Sequence, residues 1–129
     1  MEPTLKDDIY LIGNFKRKIN IEIIAGPFGQ SAKMIVEIDG KPAIPGEPEH
    51  IGNFPQTSLG LDTKVHRKVV SIIATITDLS KDTNYTSLEL IFTGGLTTKT
   101  YSLNKIVDEE GQSADYICFI EFFDPNRKS

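Results

Sequence analysis

The stretch KVVSIIATIT, residues 68–77, decides the fold class of this chain. Its even-numbered positions from Val70 to Ile76 are all apolar, whereas the odd-numbered positions are polar except Val69 and Ile73. An alternation with a period of two is typical of a β-strand that buries one face. β-branched residues fill the stretch, as strands prefer.

The same alternation recurs along the chain. It predicts six main strands, at residues 17–25, 31–39, 64–77, 85–93, 96–107 and 114–123. A shorter run at 8–15 predicts an additional edge strand with a turn at Gly13 and Asn14. Turn-forming residues separate the runs, as in TGGL at 93–96, where paired glycines favour a tight hairpin. No window of helical length shows a period of 3.6 residues.

Several short strands without helices predict an all-β fold. We expect a single antiparallel β-sandwich of about seven strands, immunoglobulin-like or C2-like in architecture. The 129 residues form one domain, 1–129, by the usual size of domains. Apolar residues make up 39% of the chain and charged residues 25%, which is ordinary for a globular protein and argues against general disorder.

The composition also narrows the partners and the compartment. A net charge of −4 argues against nucleic acid, which usually needs a basic face. The N-terminal sequence MEPTLKDDIYLIG has no long apolar run, so we expect no membrane insertion. Cys118 is the only cysteine, and we interpret it as a buried, unreactive thiol. A cytoplasmic location is favoured; the alternative is secretion of a chain whose leader has been removed.

A stretch rich in turn-forming residues separates two of the strands. GKPAIPGEPEHIGNFPQTSLGLD, residues 40–62, holds four of the seven prolines and four of the ten glycines. So many prolines argue against a strand within a sheet. The stretch is too apolar for a free linker, with Ile44, Ile51, Phe54, Leu59 and Leu61. We predict an ordered covering or binding loop that exposes His50 and Asn53; the alternative is a disordered insert.

Alternate connections of an antiparallel sandwich lie at the same end of the molecule. The turns at 26–30, 78–84 and 108–113 then form an acidic end. The opposite end collects both histidines and most basic residues: Lys16, Arg17, Lys18, Lys41, His50, Lys64, His66, Arg67, Lys68, Arg127 and Lys128. The sequence therefore predicts one acidic and one basic end.

The basic end and the 40–62 loop form one predicted binding surface. Its candidate residues are His50, Asn53, Phe54, Lys64, His66, Arg67 and Lys68. On a strand, Lys64, His66 and Lys68 share one face, which would suit an anion or an acidic partner. The alternative is that these lysines only protect a sheet edge from aggregation.

The last predicted strand, ADYICFIEFF, is apolar on both faces. The outer face of a two-layer sandwich is normally in contact with water. Phe119 and Phe123, together with Ile73 and Ile91, are therefore predicted to form an exposed apolar strip, and such strips are typical of partner surfaces. The alternative is that the 40–62 loop folds back over this face.

The acidic end offers a candidate calcium site. Asp78, Asp82, Asp108 and Asp115 supply carboxylates, which Ca²⁺ prefers. No calcium-loop motif is present, however, and acidic residues in turns are usually only solvated turn formers. We expect no metal and no cofactor, and calcium stays the alternative.

Catalytic motifs are missing from the sequence. Two histidines exclude a zinc site of three histidines, and no H-E-x-x-H, G-x-S-x-G or phosphate-binding glycine motif occurs. We therefore expect no enzyme. The sequence predicts a non-catalytic binding module for a protein partner or for another copy of itself. The alternative is a sandwich that binds a sugar, a lipid headgroup or calcium at its acidic end.

Overall fold

Ten strands and one helical turn make up the chain in a computed structural model, which describes residues 2–26, 30–78, 84–109 and 111–127. The strands are β1 (Thr4–Leu11), β2 (Lys18–Gly26), β3 (Gln30–Ile38), β4 (Lys41–Pro42), β5 (His50–Ile51), β6 (Phe54–Leu61), β7 (Val69–Asp78), β8 (Tyr85–Thr93), β9 (Lys99–Ile106) and β10 (Ser113–Phe123). The helical turn α1 spans Asp62–Val65. No helix in the described ranges is long and apolar enough to cross a membrane.

Two sheets pack face to face, so the predicted all-β sandwich is confirmed. The six-stranded sheet has the order β1-β10-β7-β3, with β4 and β5 both paired to β3. The four-stranded sheet has the order β6-β2-β8-β9. All strand pairs are antiparallel except β1 with β10, which is parallel. The predicted edge strand near the N-terminus is β1.

Alternate residues of β2, β3, β7, β8 and β10 point into one core between the sheets. Three rings form its centre, since Phe92 lies 5.3 Å from Tyr10 and 6.0 Å from Phe122, measured between ring centroids. Aromatic pairs at such distances stabilise a core beyond the area they bury. The core also holds a hydrogen bond between two buried side chains, since the hydroxyl groups of Tyr116 and Thr86 lie 2.7 Å apart.

The predicted irregular loop at 40–62 is wrong in its second half. Residues 54–61 form the edge strand β6, which pairs antiparallel with β2. Pro55 is tolerated there because an edge strand has one side without ladder bonds. Phe54 and Leu59 enter the core. The segment therefore runs from β3 of one sheet to β2 of the other sheet. It does not fold over the outer face of β10.

For residues 69–123, the strand ends lie where the alternation of antiparallel strands predicts them. Ser113 lies opposite Thr77, and Tyr85 lies opposite Ile106. At the other end, Lys18 lies opposite Leu61, and a side-chain nitrogen of Arg127 donates to the Thr63 carbonyl at 3.1 Å. An acidic and a basic end are thus present. Asp82 and Lys128 lie outside the described residues.

The predicted strand at 64–77 begins later, at Val69. Residues 62–65 form α1, and 66–68 connect it to β7. The buried carboxyl group of Asp62 binds the chain between β1 and β2. Its oxygens accept hydrogen bonds from the amides of Phe15 at 2.9 Å and Lys16 at 3.0 Å. Lys16 has a φ of 61°, a left-handed conformation that these bonds help to hold.

Candidate functional site

An unbroken apolar row crosses the outer face of the six-stranded sheet. Leu5 of β1 lies opposite Ile117 of β10, which lies opposite Ile73 of β7, which lies opposite Ile35 of β3. Leu5 is 68% exposed and Ile73 is 45% exposed, although each sits in a strand. Neighbouring side chains on one sheet face are close enough to form a continuous surface.

Exposed residues of the adjoining rows enlarge this surface, which we call the apolar face. Phe119 is 44% exposed and lies one row from Ile117 on the same side of β10. Ile9 and Leu11 of β1 are also exposed and share the face with Leu5. Large contiguous apolar surfaces are uncommon on monomeric proteins and typically mark contact sites.

The outer face of the four-stranded sheet differs. Ile24 is 37% exposed there, but its cross-strand neighbour is Glu89. Ile91 lies between Glu22 and Thr100. Each isoleucine is therefore isolated by polar side chains, which is ordinary for a protein surface. Tyr85 and Ile106 form one exposed apolar pair on this face, but no apolar row crosses all its strands within the described residues.

Acidic side chains lie among and beside the residues of the apolar face. Asp7, Glu37, Asp115 and Glu121 lie on the same outer side of their strands as the row. The basic residues there are Lys33, 3.9 Å from Glu49, and Arg67, 4.0 Å from Glu121. The charged residues of this face are therefore predominantly acidic, which favours a partner that combines basic with apolar residues.

Only part of the predicted apolar strip lies on the apolar face. Phe119 and Ile73 belong to the apolar face, and Phe123 lies on the same side of β10, where its ring is 5.2 Å from His66. Ile91 was wrongly grouped with them, because β8 belongs to the other sheet. The predicted cover is also wrong, since 40–62 runs along β3 and β2 and leaves Phe119 exposed.

The predicted binding residues at 64–68 lie together at the basic end. Lys64, Arg67 and Lys68 are exposed, and His66 is half-buried. They do not share a strand face, because Lys64 is in α1 and the others form a turn before β7. The Asp124 amide donates to Nδ1 of His66 at 3.0 Å, so this ring helps to hold the end of β10.

The structure separates His50, Asn53 and Phe54 from the basic end. His50 lies opposite Met34 in the middle of β3, and the Asn53 side-chain oxygen accepts a bond from the Ala25 amide at 2.8 Å, near the acidic end. The predicted common end for both histidines is therefore wrong, because the chain runs back along β3. Phe54 is only 2% exposed, so its ring belongs to the core.

His50 has a local structural role. Its Nδ1 contacts the Glu47 carboxylate, and its Nε2 lies 2.8 Å from the Asn53 carbonyl oxygen. Its ring packs at 5.2 Å against Phe54. The imidazole thus ties the segment at 47–53 to the start of β6.

The candidate calcium residues are only partly described. Asp78 is buried, Asp115 accepts a hydrogen bond from the Thr75 hydroxyl at 2.9 Å, and Asp108 donates its amide to the Gln112 side chain at 2.9 Å. Asp82 lies outside the described residues. Within the described ranges, no group of three or more histidine, cysteine or acidic side chains could hold a metal ion.

A pocket of about 220 Å³ opens at the basic end. Its lining consists of Gly13, Asn14, Phe15, Leu96, Asp124, Asn126 and Arg127. Neither histidine lines it.

Cys118 lies in the core side of β10 and is fully buried. Burial raises the pKa of its thiol to about 11. A thiol that holds its proton is a poor nucleophile, which agrees with its interpretation as a core residue.

Sequence reasoning missed the contribution of β1 to the apolar face. Leu5, Ile9 and Leu11 alternate with Lys6, Asp8 and Tyr10 in TLKDDIYL, and this period was detectable. The run starts before residue 8, where the predicted strand began. Its parallel pairing places it beside β10, although the two strands lie far apart in the sequence.

Comparison with known proteins gives no relative from which to infer a function. No family model matches the chain, and neither a curated protein nor a solved structure does.

Proposed function

We propose that this protein is a non-catalytic protein-interaction module that binds its partner through the apolar face. The observation that carries the proposal is the unbroken row Leu5–Ile117–Ile73–Ile35, in which two members are about half exposed or more. Holding these side chains in water is unfavourable, by roughly 25 cal/mol for each Å² of apolar surface. A partner that covers the row recovers that free energy.

The charges around the row indicate the kind of partner. Asp7, Asp115 and the other acidic residues of the face attract basic side chains and repel acidic ones. Two copies placed face to face would bring these acidic residues together, which disfavours a symmetric dimer through this face. A different protein, with an apolar contact bordered by lysine or arginine, fits better.

Site-specific photo-crosslinking tests this proposal. A photoreactive amino acid replaces Ile73 in the cells that make the protein, and Ile24 serves as the matched control. Both are isoleucines of similar exposure in strands inside their sheets, but only Ile73 belongs to the apolar row. We expect one defined protein adduct from position 73 and none from position 24. Equal adducts from both positions, or none from position 73, would contradict the proposal.

A further inference from the structure

The strand β1 leaves one backbone edge available. The Ile12 amide donates to the Phe123 carbonyl at 2.9 Å, which shows that even-numbered residues direct their amides toward β10. Backbone groups alternate in direction along a strand, so Leu5, Asp7 and Ile9 direct theirs to the other side.

Little of that edge is used within the described part of the chain. The Leu11 carbonyl accepts a bond from the Leu96 amide at 3.0 Å, and the Ile9 amide donates to the side chain of Asp8 at 2.8 Å. No described strand pairs with the edge from Leu5 to Asp7. Exposed edges of this kind can pair with another chain.

The acidic residues of β1 select what can pair there. An antiparallel copy of β1 centred at Asp7 or Asp8 would place that carboxylate opposite its own copy, and like charges opposite each other are destabilising. Asp8 already has partners. Its carboxyl group accepts a hydrogen bond from the Ile9 amide and lies 3.2 Å from the Lys99 ammonium group, and both contacts lower the pKa of that carboxyl group. Asp7 is exposed, and no ion pair of Asp7 occurs among the described residues. The edge thus disfavours a copy of itself and favours a strand with a basic residue opposite Asp7.

We propose that the edge of β1 accepts an extended segment of the partner protein, with the pattern apolar–x–basic–x–apolar. Its apolar side chains would lie beside Leu5 and Ile9 and would lengthen the apolar row by one strand. Its basic side chain would lie beside Asp7, while its backbone pairs with Leu5 and Asp7. This mode, in which a peptide adds a strand to a sheet, derives affinity from backbone bonds and specificity from alternate side chains. It rests on the proposed function and specifies how the partner reaches the face.

The probe is a pair of designed peptides, acetyl-Thr-Val-Thr-Lys-Thr-Val-Thr-amide and the same peptide with Glu in place of Lys. Each is titrated to millimolar concentration into ¹⁵N-labelled protein. We expect the lysine peptide to bind about tenfold more tightly than the glutamate peptide. We also expect it to slow amide exchange at Leu5 and Asp7 by about fivefold or more. The Lys6 amide, which faces β10, should not change.

A charge-swap variant provides the control. Asp7→Lys should reverse the preference, so that the glutamate peptide binds more tightly. Asp115→Lys makes the same change of charge at another exposed position of the apolar face, and it should keep the preference for lysine. Equal binding of both peptides, or no slowing at Leu5 and Asp7 at millimolar peptide, would overturn the strand-addition proposal.

The two proposals can fail separately. If Ile73→Ser abolishes binding of the crosslinked partner and Asp7→Lys does not, the apolar face is a contact surface but the edge is not. If Ile73→Ser leaves binding unchanged, the proposed function itself is wrong, whatever the peptides do.

Discussion

Individual residues show where sequence patterns reach their limit. Cys118 was predicted from its position on the apolar side of an alternating run, and burial agrees with that interpretation. The role of Asp62 was not predictable, because its bonds to Phe15 and Lys16 join residues more than forty positions apart. Gly95 is similar, since a Cβ atom there would lie 2.6 Å from the Tyr10 ring, a contact that no local motif reveals.

The buried thiol of Cys118 has a consequence for alkaline stability. Its pKa is about 11 in the folded protein and 9.0 in an exposed thiol. Between these values the unfolded chain binds fewer protons than the folded chain, so the free energy of unfolding falls as the pH rises. For a difference of about two pH units, the full loss is about 3 kcal/mol.

Urea unfolding of the wild type and Cys118→Ala between pH 8 and about 11 measures this effect. The variant has no thiol to titrate, so its stability should fall less steeply with pH. Burial also raises the pKa of Tyr10, Tyr101 and Tyr116. The effects of Tyr10 and Tyr101 cancel in the comparison, whereas the Cys118 thiolate also raises the pKa of Tyr116, a contribution that the variant loses together with the thiol. Parallel stability curves would contradict the assignment of a raised thiol pKa.

At the scale of elements, the long alternating strands were predictable and β6 was not. The register between β2 and β6 shifts twice, and the shift between Ile21 and Ile23 matches a step of three residues on β6, from Phe54 to Thr57, with a step of two on β2. A bulge of this kind breaks the period of two. Phe54 and Leu59 therefore both face the core although they are separated by an odd number of positions. The nearby prolines and glycines also argue against a strand, so the sequence predicts an irregular loop where β6 lies.

The segment at 47–53 should be as rigid as the strands, because His50 contacts Glu47, Asn53 and Phe54. We expect ¹⁵N relaxation order parameters near about 0.85, the value typical of rigid backbone. His50→Ala should lower them in this segment and leave residues 54–61, which pair with β2, unchanged.

His66→Ala is the matched control for that experiment. His66 also packs against a phenylalanine and also bonds the backbone, but at the basic end of the molecule. Its loss should not affect 47–53. A segment that is already mobile in the wild type, or that stays rigid in His50→Ala, would contradict the role given to His50.

At the scale of the whole molecule, the sequence predicted the layers and the polarity of the two ends but not the strand order. The apolar face combines residues from β1, β10, β7 and β3, whose neighbours in the sheet are remote in the chain. Exposed apolar residues such as Leu5 and Ile73 look unrelated in the sequence. Only their registers show that they form one row.

The apolar face and the basic end are the two candidate contact surfaces. For each of them we expect different mutations to weaken binding of the partner. If the apolar face is the contact, removing Ile73 removes apolar area from its centre, where truncations often cost most. If the basic end is the contact, reversing Lys64 and Lys68 removes the attraction for an acidic partner. Both lysines are exposed and lie away from the apolar row, so their reversal should not disturb it.

The most direct test uses the partner protein that crosslinking at position 73 identifies. Its affinity for four purified forms of this chain is measured by isothermal titration calorimetry. These forms are the wild type, Ile73→Ser, the matched Ile24→Ser, and the double variant Lys64→Glu with Lys68→Glu. We predict that Ile73→Ser weakens binding by about 10- to 100-fold, while the other two variants change it by less than about threefold. Loss of binding in the lysine variant with normal binding by Ile73→Ser would contradict the account and move the contact to the basic end.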